Sequence, residues 1–148
     1  MSSHNFESGP QLVAIYKNGR IVLEERCDKG LLIVNFPDEW LEWVQSYLAG
    51  TPYLIQPLLQ NVTPFQQKVL EQLESIPFGQ TRSYGQVAAL IGAAKAARAV
   101  GNSCRLNPLP LLIPCHRVVS ASDLGGFAFP LSLKKELLSY ESGTPPAL

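Results

Sequence analysis

Apolar and polar residues alternate in the first third of the chain, and this alternation predicts three β-strands. The apolar stretches cover residues 12–16, 21–24 and 31–36. Asn18 and Gly19 separate the first two stretches, and both residue types tolerate the positive φ of a type I′ turn. We therefore expect a tight hairpin and a third strand, which together form a small antiparallel sheet.

Helical periodicity replaces this alternation from residue 38 onwards. Apolar residues recur at the spacing of one helix face and end at a glycine, which favours a helix over residues 38–49. The residues that set this spacing are Trp40, Val44, Tyr47 or Leu48, and Gly50. Residues 51–60 have the composition of an extended connector. We therefore predict an α+β protein with an amino-terminal sheet-and-helix domain (1–60) and a mainly α-helical domain (61–148).

Three helices are predicted in the second part of the chain. The first starts with Thr63 as its cap, Pro64 at the first helical position and Gln66 closing a capping box, and it ends at residues 77–79. Its buried face is marked by Phe65, Val69, Leu73 and Ile76.

The next two helices form a pair. A second capping box, Ser83 with Gln86, starts a short helix that stops at Gly92, and another helix is expected over residues 94–105. Two short helices around a glycine-containing turn predict a helix-turn-helix, although such pairs also occur in proteins that bind no nucleic acid.

The helix predicted over residues 94–105 has almost no side-chain bulk. Its small residues are Ala94, Ala96, Ala97, Ala99, Gly101 and Ser103, and its long polar ones are Lys95, Arg98, Asn102 and Arg105. Such a helix can approach another surface closely, or it can pack closely within its own domain. Few side chains here suit base edges, so the composition favours a partner recognised by shape and backbone.

The charge of the chain is balanced in total but not in distribution. Lys plus Arg and Asp plus Glu number 12 each, whereas residues 75–122 contain no acidic residue. The positive groups of this stretch are Arg82, Lys95, Arg98, Arg105, His116 and Arg117. A local basic surface is one interpretation, and a chance distribution within an apolar stretch is the other.

Composition also limits the compartment and the metal content. No apolar run reaches the roughly eighteen residues of a membrane helix, and residues 1–5 lack a signal-peptide pattern. We expect an intracellular protein, in the cytoplasm or in a eukaryotic nucleus, with no membrane partner.

The three cysteines, Cys27, Cys104 and Cys115, do not have the spacing of a metal site or of a disulfide framework. Only His4 and Cys27 could bind zinc near the amino terminus, too few for a four-coordinate site, so no metal is predicted.

The segment before Cys115 contains three prolines, which break any helix and favour an extended, buried rod. In an extended segment, adjacent side chains point to opposite faces, so Cys115 and His116 are poorly placed for a direct hydrogen bond. Activation of the thiol by His116 would need a bridging water or a local bend. A buried cysteine is usually inert, and Cys27 and Cys104 are read in that way. Cys115 differs because His116 and Arg117 follow it, although Arg117 could equally be a structural ion-pair partner.

From residue 63 to residue 141 the chain resembles the O6-alkylguanine-DNA alkyltransferase family. The family's hallmark Pro-Cys-His-Arg is intact at residues 114–117. The run at residues 95–101, the Asn107-Pro108 pair, and Gly125-Gly126 followed by residues 134–141 keep the family's separations. The first 60 residues share only the sheet-plus-helix character.

This resemblance implies DNA repair by irreversible, single-turnover transfer of an alkyl group from O6 of guanine to Cys115. That activity is the one of a methylated-DNA–protein-cysteine S-methyltransferase. The helix-turn-helix would bind double-stranded DNA from the minor groove, and the damaged base would be flipped towards the thiol. The transfer implies no cofactor, and we expect a monomer.

The resemblance also implies roles for single residues. His116, Glu141 and a water form a relay that favours the Cys115 thiolate, although sequence alone would make Glu141 an exposed residue near a helix end. Tyr84 donates a proton to the leaving guanine, Asn107 orders the loop beside the thiol, and Arg98 replaces the flipped base. Other contacts to DNA or base are assigned to Lys95, Ala97, Ala99, Arg105, Val118, Phe127 and Ala128.

The loop at residues 126–130 departs from the family, which commonly has Gly-Tyr-Ser-Gly-Gly where this chain has Gly-Phe-Ala-Phe-Pro. The backbone N–H of Ala128 could still reach O6, but the two hydroxyls are lost. Phe129 would narrow the pocket or stack on bulky groups, and Pro130 would stiffen the loop. We expect methyl transfer to be retained, with altered tolerance for bulky alkyl groups.

Three other classes of protein fit the sequence less well. A non-catalytic binder of alkylated DNA would replace the reactive cysteine. A DNA-binding regulator would leave residues 114–117 without a purpose. A cysteine hydrolase takes its histidine from a distant position and brings it directly to the thiol.

Overall fold

The computed structural model describes residues 8–17, 20–28, 30–54, 59, 61–120 and 131–143. The elements in chain order are β1 (Ser8–Lys17), β2 (Arg20–Asp28), β3 (Gly30–Val34), α1 (Asp38–Leu48), α2 (Pro64–Glu74), β4 (Arg82–Ser83), α3 (Tyr84–Leu90), α4 (Ala97–Arg105), a 3-10 turn (Cys115–Arg117), β5 (Val118–Val119) and α5 (Leu131–Ser142). The predicted α+β class is confirmed.

The amino-terminal sheet has the strand order β2-β1-β3. β1 and β2 pair antiparallel, as predicted, and Lys17 lies opposite Arg20 at the end of the hairpin, whereas Asn18 and Gly19 lie outside the described residues. The prediction of an antiparallel sheet needs one correction, because β3 pairs parallel with β1. β2 and β3 flank β1 on opposite sides, and a chain that reverses direction twice returns parallel to its first strand.

Helix α1 has the predicted extent, from Asp38 to Leu48 with Ala49 as its cap. Its buried residues are Trp43, Val44 and Tyr47. The indole N–H of Trp43 donates to the carbonyl of Tyr53 at 3.0 Å and so ties the following connector to the helix. Residues 51–54 have no regular secondary structure, and residues 55–58 and 60 lie outside the described part.

The two predicted capping boxes differ. Ser83 and Gln86 form a complete box, since each side chain accepts a hydrogen bond from the other's backbone N–H. At Thr63 only half of the box forms: the hydroxyl accepts from the Gln66 N–H at 3.0 Å, while the Gln66 amide donates to the Leu106 carbonyl instead. Tertiary contact with the residue after α4 therefore takes the side chain that the local motif would use.

Helices α2 and α4 are shorter than predicted. α2 ends at Glu74, just before the expected stop at residues 77–79. α4 begins at Ala97 instead of residue 94, because residues 93–96 form a turn closed by a 2.8 Å hydrogen bond from the Ala96 N–H to the Ala93 carbonyl. α3, this turn and α4 form the helix-turn-helix.

One cluster of buried hydrophobic side chains joins the first and second parts of the chain. It includes Ala14 and Ile21 from the sheet, Tyr47 from α1, Leu70 from α2, and Leu137 from α5. Helix α5 also contacts all three amino-terminal strands. The domain boundary near residue 60 stays a prediction. None of the helices in the described residues is long and apolar enough to span a membrane.

Candidate active site

The segment that carries Cys115 is buried, as expected, but it is not extended. Residues 109–118 are all buried, Leu111 has a φ of +81°, and Pro110 and Ile113 form an isolated bridge. Asn107 spans this turn, because its amide N–H donates to the Ile113 carbonyl at 2.8 Å and its oxygen accepts from the Leu109 N–H at 2.9 Å. The prolines restrict φ without preventing a turn, which is why the extended prediction is wrong.

Cys115 itself begins a 3-10 turn that continues through His116 and Arg117. The opposite-face argument of the sequence therefore does not apply, and a local bend is present. The side chain of Cys115 is buried, with 3% of the residue exposed. Burial raises the pKa of its thiol to about 11, while Asn107, Lys134 and the backbone N–H act in the opposite direction. The resting thiol is protonated at neutral pH and needs a proton acceptor to react.

Glu141 lies at the centre of the polar cluster beside this turn. Its Oε2 lies 2.6 Å from Nε2 of His116 and accepts hydrogen bonds from the Tyr47 hydroxyl at 2.8 Å and Nη2 of Arg117 at 3.1 Å. Its Oε1 accepts from Nε of Arg117 at 2.7 Å. Only 6% of Glu141 is exposed, so the reading of an exposed glutamate at a helix end is wrong.

The carboxyl group of Glu141 is ionised despite its burial. Burial alone would raise its pKa, but the neighbouring His116 and the Arg117 guanidinium outweigh that effect and lower the pKa to about 2. A buried carboxylate with this many donors is a fixed negative charge that holds the imidazole by one nitrogen. The other nitrogen, Nδ1 of His116, is buried and has no hydrogen-bond partner among the described residues.

Arg117 is a structural ion-pair partner, one of the two readings left open by the sequence. Besides its two hydrogen bonds to Glu141, it donates from Nη1 to the Ile76 carbonyl at 2.8 Å. Its guanidinium also lies 5.7 Å from the centre of the Phe78 ring. Arg117 and His116 are both buried. They therefore contribute nothing to the basic surface that was one interpretation of the sequence over residues 75–122.

Two residues of this site, Lys134 and Tyr47, were not assigned a role from the sequence. Lys134 is fully buried, donates to the Val118 carbonyl at 2.6 Å and lies 5.7 Å from the centre of the Tyr84 ring. The seven-residue spacing between Lys134 and Glu141 is two helical turns and could have placed both on one face. For Tyr47, the sequence indicated only that a tyrosine, with an apolar ring and a polar hydroxyl, lies on the buried face of a helix.

Helix α4 presents an exposed face next to this buried site. Arg98, Ala99, Asn102 and Arg105 are exposed, while Val100, Ser103 and Cys104 are buried. Lys95 is exposed in the preceding turn, and Ala97 is half-buried. The small helix thus packs on one side and is open on the other. The basic groups on this face and in the turn before it are Lys95, Arg98 and Arg105.

The remaining predicted site residues fall in different places. Tyr84 is half-buried at the start of α3, and a Cβ added at Gly101 of α4 would lie 3.7 Å from its ring. Val118 is buried in β5, whereas Phe127 and Ala128, with the rest of the loop at 126–130, lie outside the described residues. Within the part of the chain that is described, no group of three or more His, Cys, Asp or Glu residues could hold a metal ion.

Comparison with known proteins decides the family. Residues 64–143 match the family described as 6-O-methylguanine DNA methyltransferase, DNA binding domain. The chain belongs to this methyltransferase family. The resemblance inferred from the motifs between residues 63 and 141 is therefore confirmed. Cys115, His116 and Glu141 all lie within the matched residues, whereas Tyr47 precedes them.

Individual members of the methyltransferase family are similar over most of the chain. The constitutive methylated-DNA–protein-cysteine methyltransferase of Bacillus subtilis strain 168 is 36% identical, over 74% of this chain and 81% of that protein. The methylated-DNA–protein-cysteine methyltransferase of Methanosarcina acetivorans is 37% identical, over 77% and 86%. A crystal structure of Mycobacterium tuberculosis OGT in complex with DNA superposes with a TM-score of 0.66 at 38% identity, covering 77% of this chain and 73% of that one.

Proposed function

We propose that this protein repairs DNA by transferring an alkyl group from O6 of guanine to Cys115, once per molecule. One observation carries the proposal. The buried thiol of Cys115 is followed in the chain by His116, and Nε2 of this histidine binds the buried, ionised carboxylate of Glu141. The names of the relatives, which are methylated-DNA–protein-cysteine methyltransferases, and the DNA in the M. tuberculosis structure support this substrate class.

The first step is removal of the thiol proton. Because burial raises the pKa of Cys115 to about 11, the thiolate forms at neutral pH only if a nearby base takes the proton. Nδ1 of His116 is that base, reached directly or through one water. The imidazolium that forms is stabilised by the Glu141 carboxylate at 2.6 Å, whose pKa is lowered by His116 and then by Arg117.

The second step is displacement at the alkyl carbon. The bond from Sγ to carbon forms while the bond from carbon to O6 breaks, and the electron pair of the broken bond stays on guanine. The hydroxyl of Tyr84 gives guanine a proton. His116 then releases the proton of the thiol to solvent, and Tyr84 regains a proton from solvent. The product is a thioether, which does not hydrolyse, so the protein acts once and needs no cofactor for the transfer.

DNA is bound by the exposed face of α4. Lys95, in the turn before α4, and Arg105 are the positive groups that meet phosphates, and the small Ala97 and Ala99 let the helix approach the minor groove closely. Arg98 enters the base stack in place of the flipped guanine. The flipped base is proposed to contact Val118, Phe127 and Ala128.

The two parts of the chain divide the work in this proposal. Residues 61–148 bind DNA and carry out the transfer, and residues 1–60 buttress them through α1. The protein is proposed to act as a monomer. It is proposed to act inside the cell, in the cytoplasm or in a eukaryotic nucleus, because its substrate is double-stranded DNA.

The test is a mass measurement after incubation with duplex DNA that contains O6-methylguanine. We expect one hydrogen of the Cys115 peptide to be replaced by one methyl group, with at most one transfer per protein. Cys104→Ser is the matched control and should still react, because Cys104 is a buried cysteine whose pKa is raised by burial and then by Cys115. An unmodified wild-type protein, or an equal gain in Cys115→Ser, would overturn the proposal.

A further inference from the structure

The Glu141 carboxylate is held from the amino-terminal part of the chain as well as from the 3-10 turn. Tyr47, which lies 94 residues away in sequence, donates its hydroxyl to Oε2 at 2.8 Å. That oxygen is the one that binds Nε2 of His116. We propose that Tyr47 is a positioning residue for alkyl transfer, which orients Glu141 so that His116 can accept the proton of Cys115. This inference rests on the proposed function.

Packing alone does not require a tyrosine at this position. The ring stacks on Trp43 at 5.3 Å between centroids, meets Phe78 edge-on at 5.6 Å and lies 5.4 Å from Tyr140. A phenylalanine would make the same ring contacts. The hydroxyl is the additional feature, and in a residue with no exposed surface it must have a partner.

The partner of this hydroxyl matters because the two carboxylate oxygens of Glu141 are held unequally. Oε1 accepts from Arg117 Nε at 2.7 Å, whereas the contact of Oε2 with Nη2 of Arg117 is longer, at 3.1 Å. The Tyr47 hydroxyl adds a second donor to Oε2 from the side of α1. The oxygen that orients the imidazole is therefore fixed from two elements.

Tyr140 provides a matched control for this role. Its hydroxyl contacts the carbonyls of Tyr47 at 3.0 Å and Leu48 at 2.7 Å, and so it joins α5 to the end of α1. Tyr47 and Tyr140 thus link the same two helices through a phenolic hydroxyl. Only the hydroxyl of Tyr47 donates to the carboxylate of Glu141.

The charged and titratable groups around the site define what a pH profile will report. Glu141 is faced by His116 and Arg117 from the 3-10 turn, by Tyr47 from α1, and by Tyr140 from its own helix. The thiol of Cys115 is faced by Lys134 from α5 and by Cys104 from α4. Burial, and then the charge of Glu141, raise the pKa of Tyr47 well above 10. The hydroxyl of Tyr47 therefore stays a donor wherever transfer is measured.

The experiment compares Tyr47→Phe with Tyr140→Phe in single-turnover methyl transfer at saturating O6-methylguanine duplex, from about pH 6.5 to about pH 9.5. For Tyr47→Phe we expect a rate about tenfold below wild type at neutral pH, the size expected for one hydrogen bond to a charged group. This deficit should shrink as the pH rises, because hydroxide then ionises the thiol without His116. For Tyr140→Phe the ratio to wild type should be independent of pH.

Two measurements accompany the rates. DNA affinity should be unchanged in both variants, and urea unfolding should show that both are folded. Should Tyr47→Phe be unfolded, a fluorinated tyrosine at position 47 keeps the ring and alters only the hydroxyl's acidity, and its rate ratio to wild type should then vary with pH.

A ratio that does not vary with pH, or equal behaviour of the Tyr47 and Tyr140 variants, would make Tyr47 a purely structural link and overturn the inference. If the wild-type protein transfers no methyl group at any pH, the proposed function fails instead. The two failures are therefore distinguishable.

Discussion

Positive side chains occupy two neighbouring regions of this molecule under opposite conditions. In the cluster around Glu141, Arg117 is buried and bonded to both carboxylate oxygens and to a backbone carbonyl. On α4, Arg98 and Arg105 are exposed, and the surrounding stretch of residues 75–122 contains no acidic residue. The first region neutralises its charges internally, whereas the second leaves its charges open to solvent.

In the proposed function, this difference separates the residues that act in alkyl transfer from the residues that bind DNA. A buried and compensated cluster keeps its geometry before substrate arrives, which is what proton transfer from a thiol needs. An exposed basic face has little energetic effect on the fold but attracts a polyanion over a distance. Mutations in the two regions should therefore have different consequences, and the comparison can be tested in three ways.

The largest effect should follow from removing the centre of the cluster. Glu141→Ala leaves the charge of Arg117 buried without its partner, so we expect the free energy of unfolding to fall by about 3–5 kcal/mol in urea titrations. The matched control is Glu136→Ala, a half-buried glutamate on the same helix, which should change stability far less. Equal losses in the two variants would show that the cluster has no special energetic weight.

A smaller effect is expected from acid. The pKa of Glu141 is lowered from its ordinary value of 4.5 to about 2, so its contribution to stability is complete above pH 4.5 and is lost as the pH falls towards 2. The loss should be about 3 kcal/mol. Burial, and then the charge of Glu71, raise the pKa of Glu74 to about 7. Glu74 therefore changes the pH dependence of stability only above pH 4.5, outside the acid range in which Glu141 titrates.

The measurement for this prediction is urea unfolding of the wild type and of Glu141→Gln at several pH values in the acid range. The glutamine keeps the shape of the side chain but cannot titrate. The wild type should therefore lose more stability than the variant as the pH falls. Parallel curves would mean that Glu141 is not responsible for the acid sensitivity.

The smallest effect on the fold is expected on α4. Replacing Arg98 and Arg105 by alanine should leave the unfolding free energy within about 0.5 kcal/mol of wild type, because both side chains are exposed. Duplex DNA affinity should fall about tenfold or more, because Arg105 no longer meets a phosphate and Arg98 no longer enters the base stack. The salt dependence of binding should become shallower by roughly one phosphate contact, that of Arg105. Lys17→Ala, an exposed lysine at the end of β1, is the control and should leave both quantities unchanged.

Features that depend on a few neighbouring residues were determined by the sequence. The complete capping box of Ser83 and Gln86 sets the start of α3, and the helical spacing from Trp40 to Tyr47 sets the extent of α1. The Pro-Cys-His-Arg motif and the residues at matching separations were enough to identify the family. Local backbone preferences and side-chain chemistry determine these features, so these features can be predicted from the sequence alone.

Only the tertiary structure decided which distant residues meet. The parallel pairing of β3 with β1, the burial of Lys134 and the hydrogen bond from Tyr47 to Glu141 all depend on how the chain returns on itself. Periodicity tells which face of an element is buried, but not which element covers it. For that reason Glu141, a plain glutamate at a helix end in the sequence, is the centre of the site in the folded protein.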